Sequence, residues 1–512
     1  MRSKKAIINT VFSLLEDFVA IACSFVLPKL ILSHFGSEYN GLVTSITQFL
    51  ACAVLLRSGI GGATRAALYR PLARHDKKEV DSILKATSIF MKKISIILVF
   101  AILGVAAIYP IIVNTEFSWL FVFSLFIIIG ISTLAESFFG ITYLILLQAD
   151  QKLYIPSIIK IICYILNITV ATILILTNNS IHIVKLGSAI VFALNPIILN
   201  IYVRKKYKID KNAQPDNKAI SQRWDAFWHQ VTVFVNNNTD VMVLSIFTNM
   251  LEVSVYSVYN LVIAGLKRFI VAFTRGIDSA FGDMIAKEEK DKLKKNLSII
   301  ELIIYNIATF LISCSVLLIS QFIAIYTDGI TDADYSRPLF SYLLLAGLFF
   351  YAIRIPYQNI THAAGHFKQT KKYAFGEIIL NIGISVILVI QFGLIGVAIG
   401  TLVATAYKTI MFSNYLSSHI VERPKLILYK RIAISVVEFL IIFGIMSLIN
   451  LPKELTYGSW FFNAIVTILV AGVMIAIGIV VFYRNEVKDL AIILKNIRRR
   501  KNKNRREHEK IG

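Results

Sequence analysis

An all-α integral membrane protein with about fourteen spanning helices is what this sequence predicts, and three observations lead there. Hydrophobic residues make up 56% of the 512 positions, above the roughly 45–50% usual for soluble domains. Long runs nearly free of charge recur from end to end, among them 94–113, 117–135, 373–407 and 458–483. A run of ~20 apolar residues, rising 1.5 Å per residue, is enough to cross the hydrocarbon core of a bilayer. Finally, the cations are segregated into alternate connectors.

In chain order the candidate spans lie near 6–33, 40–66, 93–113, 117–147, 154–177, 181–203, 227–248, 253–276, 297–326, 338–362, 373–391, 394–417, 430–450 and 458–483. Glycine and proline punctuate several boundaries, at Phe35-Gly36, Phe392-Gly393 and Leu451-Pro452, where neither residue continues a helix well. With both termini in the cytoplasm, the inner connectors are 70–93, 148–153, 204–226, 287–296, 363–372 and 418–431, plus the tail after Tyr483. About 41 of the 53 Lys and Arg fall there or at the N-terminus, as the positive-inside rule requires. The outer connectors hold only Arg337 and Lys453, and one of them carries Asp328, Asp332 and Asp334. A missed or invented span would break this alternation from that point onward.

The formal net charge of +22 therefore reads as topology and contact with anionic lipid headgroups, not as nucleic-acid binding. The basic tail around Arg498–Arg506 has the same reading. Cys23, Cys52, Cys163 and Cys314 lie within apolar runs at irregular spacing, which is no disulfide or metal pattern. Arg2, Lys4 and Lys5 precede an apolar run without a small-residue cleavage site, so that run reads as a first span and not a cleaved signal. No connector is long enough for an independent domain of ~50 residues or more.

A weak internal repeat orders the spans. A shift of 217 positions superposes Tyr39 on Tyr256, Gly59-Ile60 on Gly276-Ile277 and Ala63 on Ala280, matching the second span to the eighth. This predicts an N-lobe of six helices over 1–212 and a C-lobe of six over 213–420, related by a pseudo-two-fold axis along the membrane normal. Residues 421–512 add helices thirteen and fourteen and the basic tail.

Charges inside the spans point to function. An Arg or Lys at the bilayer centre costs ~2.5–3.5 kcal/mol on insertion scales. Lys29 and Lys185 lie near outer ends, where a long side chain can snorkel to water. Arg65 and Arg275 lie near inner ends, where snorkelling and a cavity role are equally open. Arg57, Lys267, Arg268, Arg354 and Lys408 each lie about 20–25 Å from the outer face on spans that run inward. Lys160 reaches similar depth from the other direction. One reading is ion pairs that brace helices, with Glu16, Asp17 or Glu136 as partners. The other, which we take, is a basic, water-filled cavity open to the cytoplasm that accepts an anion. Glu16, Asp17 and Glu136 are also the candidates to carry a coupling proton or sodium ion. Asp240, Glu301 and Glu438 are the remaining intramembrane acids noted.

Motif searches exclude other chemistry. The sequence has no phosphate-binding loop, no His-Glu-x-x-His and no Gly-x-Ser-x-Gly, so neither a built-in ATPase nor these hydrolases fit. His362 and His366 lack neighbouring ligand residues in sequence, so no metal and no cofactor is expected. Short connectors also argue against a membrane-embedded glycan-processing enzyme, and we read the chain as not an enzyme.

Several runs resemble bacterial polysaccharide flippases of the Wzx-like kind, in the multidrug/oligosaccharidyl-lipid/polysaccharide exporter superfamily. They include Phe25-Val-Leu-Pro28, Tyr39-Asn40-Gly41-Leu-Val-Thr, Ala67-Leu-Tyr69-Arg-Pro71, Phe138-Phe-Gly140-Ile-Thr-Tyr143, Leu147-Gln148-Ala-Asp150-Gln151, Asn236-Asn-Asn-Thr239-Asp240, Val253-Ser-Val-Tyr256 and Ala280-Phe-Gly282. The resemblance covers nearly the whole chain and is densest before residue 290. It implies two six-helix lobes around a central cavity in the bacterial plasma membrane. Alternating access there would carry a polyprenyl-pyrophosphate-linked oligosaccharide to the outer leaflet for cell-surface polysaccharide synthesis. Beside the lipid-linked substrate, the partners expected are membrane lipids and a proton or sodium as coupling ion, with the chain a monomer. Arg57 departs from the pattern, which more often places an acid or another polar residue there. A small organic-cation or drug exporter is the alternative within the same superfamily.

Overall fold

The computed structural model describes residues 2–57, 60–210, 212–216, 234, 238–274, 281–282, 284–285, 287–484 and 486–490. Among these residues the chain is helical, with no strand. The helices are α1 (Arg2–Phe35), α2 (Ser37–Val54), α3 (Ile60–Arg74), α4 (Lys77–Ile112), α5 (Trp119–Ala135), α6 (Ile141–Ala149), α7 (Tyr154–Leu176) and α8 (Ile181–Tyr207). They continue with α9 (Asn238–Phe247), α10 (Met250–Thr274), α11 (Lys290–Tyr326), α12 (Pro338–Ala363), α13 (Phe367–Phe392), α14 (Leu394–His419), α15 (Leu426–Leu448) and α16 (Tyr457–Phe482). Counting α5 and α6 as one, twelve of the described helices are long and apolar enough to cross a membrane. This is a multi-pass membrane protein. The twelve match all the expected spans but the second and the seventh.

Those two differ for separate reasons. The second, expected as one helix over 40–66, ends as α2 at Val54, passes through a 3-10 turn at Leu55–Arg57 and resumes as α3 at Ile60. Gly61 and Gly62 open α3, and glycine lowers helix propensity by ~1 kcal/mol relative to alanine. Most of the seventh, 227–248, lies outside the described residues, and α9 is the part that is described. The connectors are also shorter than expected. Residues 77–93 belong to α4, whose first turn is capped by the Asp76 carboxylate accepting from the Glu79 amide at 3.1 Å. Capping by Asp satisfies an amide that the helix itself leaves open, so the charged turn extends the span instead of forming a loop. Gly59, Gly276, Ile277, Ala280 and the Arg498–Arg506 tail lie outside the described residues.

The chain forms two compact units. The first comprises Met1–Leu261, Gly329–Asp334 and Val386–Val397. Its main core gathers Leu68, Leu84, Leu146, Ile159 and Val203 from α3, α4, α6, α7 and α8. Several buried polar groups of this unit are paired with one another, which offsets the cost of burying them. The Tyr109 hydroxyl donates to Ser45 Oγ at 2.7 Å, and Ser45 Oγ lies 2.6 Å from Ser245 Oγ, so α4, α2 and α9 share one hydrogen-bonded chain. Asn40 Nδ2 donates to Ser254 Oγ and Ser257 Oγ, each at 2.9 Å, joining α2 to α10. The Asn40–Ser257 pair is separated by 217 positions, the same offset that superposes the repeat.

The second unit comprises Val262–Asp328, Tyr335–Ser385 and Ala398–Gly512. Cys314 of α11 packs with Ile442 and Met446 of α15 and Ala471 and Ile475 of α16. Two to three turns away, Leu302, Ile434 and Tyr483 form a second apolar cluster. Between α11 and the α14–α15 connector, Glu301 is fully buried and held by Arg423 through two bonds, the one from Nη1 measuring 2.8 Å. Arg431 Nε adds an ion pair to the same carboxylate at 3.3 Å. A buried carboxylate without such partners would cost several kcal/mol.

Candidate functional site

In the first unit the site is built where α5 widens into a π turn at Glu136–Gly140. Such bulges inside helices recur at functional sites, because they turn side chains away from the regular face. Here the turn presents Glu136 and Ser137 to the 3-10 turn after α2. Arg57 Nη2 donates to Glu136 Oε2 at 2.6 Å, and Nη1 donates to Ser137 Oγ at 2.9 Å. Gly140 makes the turn compatible with α8: a Cβ there would lie 2.7 Å from Pro196 Cβ. Beside it opens a cleft of about 290 Å³ lined by Ser132, Glu136, Lys160, Tyr164, Asn195 and Pro196. Lys160 reaches Glu16 of α1 at 3.1 Å. Asn195 Oδ1 is buried there with no hydrogen-bond partner among the described residues. The cleft thus offers one cation, carboxylates on either side and an open amide oxygen.

The second unit holds a more buried cluster. Arg354 of α12 donates to Glu377 Oε1 of α13 at 2.6 Å, and Lys408 of α14 donates to Glu377 Oε2. The three side chains are only 4–7% exposed. Tyr351 sits between two cations, with Lys267 Nζ 4.4 Å and the Arg354 guanidinium carbon 5.3 Å from its ring centroid. Lys267, Arg354 and Lys408, from α10, α12 and α14, therefore gather around one carboxylate and one aromatic face. The ring quadrupole attracts cations, which lets two of them approach one another.

Of the residues singled out in the sequence, the structure brings together Arg57 with Glu136 and Lys160 with Glu16 in one unit. It brings Lys267, Arg354 and Lys408 together in the other. The ion-paired arrangement, left open beside the cavity reading, is present at Arg57, Lys160, Arg354 and Lys408. Arg268 is exposed on α10, and Arg65 reaches Gln148 Oε1 at 3.4 Å. Asp17 is half-buried on α1. Arg275 lies outside the described residues. Sequence reasoning missed Glu377, the hub of the second cluster, because it stands close to the inner edge of its span beside the charged connector. Its signal was an acid in the same run as the cations' depth would require. Arg423 and Arg431 were likewise counted as connector cations, with nothing local to mark their pairing with Glu301.

No protein-family model matches the chain, and no curated protein sequence aligns with it significantly. Solved structures do. The lipid II flippase MurJ in an inward closed conformation is 16% identical, with a TM-score of 0.71 over 94% of this chain and 100% of that one. An inward-facing multidrug resistance MATE family transporter of the MOP superfamily is 15% identical, with a TM-score of 0.65 over 78% of this chain and 95% of that one. The Vibrio cholerae MATE transporter VcmN is 14% identical, with a TM-score of 0.58 over 82% and 98%. At such identities the likeness establishes the fold alone, which is the one shared by this flippase and these transporters.

Proposed function

We propose that this protein flips a polyprenyl-pyrophosphate-linked oligosaccharide from the cytoplasmic to the outer leaflet by alternating access, for cell-surface polysaccharide synthesis. The observation that carries the proposal is the burial of Arg354 and Lys408 on a single carboxylate, with Lys267 beside them over the Tyr351 ring. Placing three cations inside apolar helices is expensive unless an anion repays it. A pyrophosphate competes well for such groups, since its oxygens accept charge-assisted bonds from Arg and Lys. The fold of a lipid II flippase supports the same substrate class.

In this reading fourteen spans form an N-lobe over 1–212, a C-lobe over 213–420 and a C-terminal pair over 421–512. Both termini are cytoplasmic, and the chain acts as a monomer in the bacterial plasma membrane. The Asn40–Ser257 bond supports the two-lobe arrangement, because equivalent positions of a two-fold repeat meet only near the axis that relates them. Arg57, Lys160, Arg65, Arg268 and Arg275 are proposed as further basic groups that meet the substrate. Glu136 and Glu16 are the proposed coupling-ion sites, because each holds one of the candidate cations, Arg57 or Lys160. The coupling ion is a proton or sodium, with Glu16, Asp17 and Glu136 as its candidate carriers.

A small organic-cation exporter is the second reading, favoured by the MATE transporters of the same fold. A cluster with three cations repels such cargo. The deciding experiment neutralises Arg57 and Arg268 together in cells that make a surface glycan. The flippase reading expects lipid-linked oligosaccharide stranded on the cytoplasmic leaflet. Unchanged surface glycan, with altered drug resistance on overexpression, supports the exporter.

A further inference from the structure

Glu438 lies near the middle of the 23-residue α15, a helix to which the proposed transport site contributes nothing. Its side chain is 3% exposed, and neither carboxyl oxygen has a hydrogen-bond partner among the described residues. Ser435 Oγ, one turn earlier on the same face, is also buried without a partner. The surroundings are apolar on both sides. One turn below, Ile434 packs with Leu302 of α11 and with Tyr483. One turn above, Ile442 packs with Cys314 of α11 and with Ala471 and Ile475 of α16. At the level of Glu438 itself, α16 presents Gly478, where a Cβ would come within 2.2 Å of Glu438 Oε1. Glycine is thus what leaves room for the carboxyl against the α16 backbone.

The charged and titratable groups on the packed elements do not supply a counter-ion. On α11, Glu301 is bound to Arg423 and Arg431, and the Tyr305 hydroxyl is 2.9 Å from that of Tyr357. On α15, Arg431 lies two turns from Glu438 and is shared with Glu486 at 3.2 Å. Tyr483, just past α16, is within electrostatic reach but is a neutral phenol. A bare carboxylate here would be buried with no hydrogen bond and no cation among the described residues, the situation in which a buried acid binds a proton instead of staying charged.

We propose that Glu438 is a proton-binding site, protonated while α15 and α16 are packed on α11, and that loss of this proton loosens the packing at Gly478. The step is the dissociation of the carboxylic acid into carboxylate and a proton that leaves to solvent, with water entering beside Gly478 to hydrate the anion. The packed state then holds a proton that the opened state releases, so raising pH favours opening.

The test uses the full-length protein in lipid nanodiscs. Infrared difference spectra in H2O and D2O should show a protonated-carboxyl C=O band in the wild type that E438Q removes. Thermal stability of the wild type should fall from acid to alkaline pH more steeply than that of E438Q. Spectra without a band that E438Q abolishes, or parallel pH profiles, overturn the proposal. If E438Q does not fold, the wild type decides through dicyclohexylcarbodiimide, an apolar reagent that attacks protonated carboxyls. An adduct mapped to Glu438 by peptide mass spectrometry, diminishing as pH rises, supports the site. An unmodified Glu438 in protein labelled at other acids contradicts it.

Discussion

Replacing Glu377 by Gln is the most informative stability experiment on the second unit. The carboxylate is 4% exposed and carries both Arg354, at 2.6 Å, and Lys408, themselves 7% and 6% exposed. Gln keeps one acceptor oxygen but turns an NH2 toward the other cation, so one buried cation loses its partner and the second keeps only a neutral one. Removing one side of a buried ion pair costs ~3–5 kcal/mol, because the remaining charge stays buried and uncompensated. We expect E377Q to lose stability in that range. K408M should cost less, since Arg354 still satisfies Glu377 and no cation is orphaned. The double variant E377Q/K408M should recover part of the loss, with a coupling of ~0.5–3 kcal/mol for groups in one network. Equilibrium unfolding of purified protein in one fixed detergent, by far-UV circular dichroism and tryptophan fluorescence, measures all three. E377Q as stable as wild type, or strictly additive variants, would refute the claim that Glu377 holds this cluster together.

Two further outcomes follow from the packing. Gly140→Ala should destabilise by ~1–3 kcal/mol, the usual cost of overpacking, because its Cβ meets Pro196 at 2.7 Å, whereas Gly61→Ala, with nothing within 4 Å, should be neutral or gain up to ~1 kcal/mol of helix propensity; detergent melting curves of the pair distinguish these. Glu301→Gln should lower stability more than Glu486→Gln, since Glu301 is fully buried between Arg423 and Arg431 while Glu486 is partly exposed, and the same unfolding assay ranks them.

The helices were legible because membrane spans answer to one strong constraint: in hydrocarbon every backbone polar group must be satisfied within the helix. Apolar length and the placement of Lys and Arg were therefore enough to find twelve spans. The break at Leu55–Arg57 was only partly legible: Gly61 and Gly62 beside it were in view, but Arg57 meeting Glu136 and Ser137 some eighty positions away was not. The π turn at Glu136–Gly140 was hidden too, since the close approach of Gly140 to Pro196 of α8 joins positions far apart in the chain. Depth along each helix, at 1.5 Å per residue, grouped Lys267, Arg354 and Lys408 in one layer, and these three do lie near one another. Depth gave no azimuth, so Glu377 went unnoticed and the pairing of Arg354 with Lys408 through it could not be read. Glu438 was visible as a lone acid in a span, but its lack of partners and its fit against Gly478 exist only in three dimensions.

The most direct test of the account is transport itself. Purified protein reconstituted into liposomes with a fluorescent polyprenyl-pyrophosphate-linked oligosaccharide should move the lipid between leaflets, as read by protection from an impermeant quencher. An imposed proton gradient should change the rate. Substituting Arg57 by Ala should slow movement ~10-fold or more, the equivalent of a charge-assisted hydrogen bond worth ~1.5–3 kcal/mol. Liposomes that leave the lipid where it started, under every gradient and with wild-type protein, would contradict the central claim.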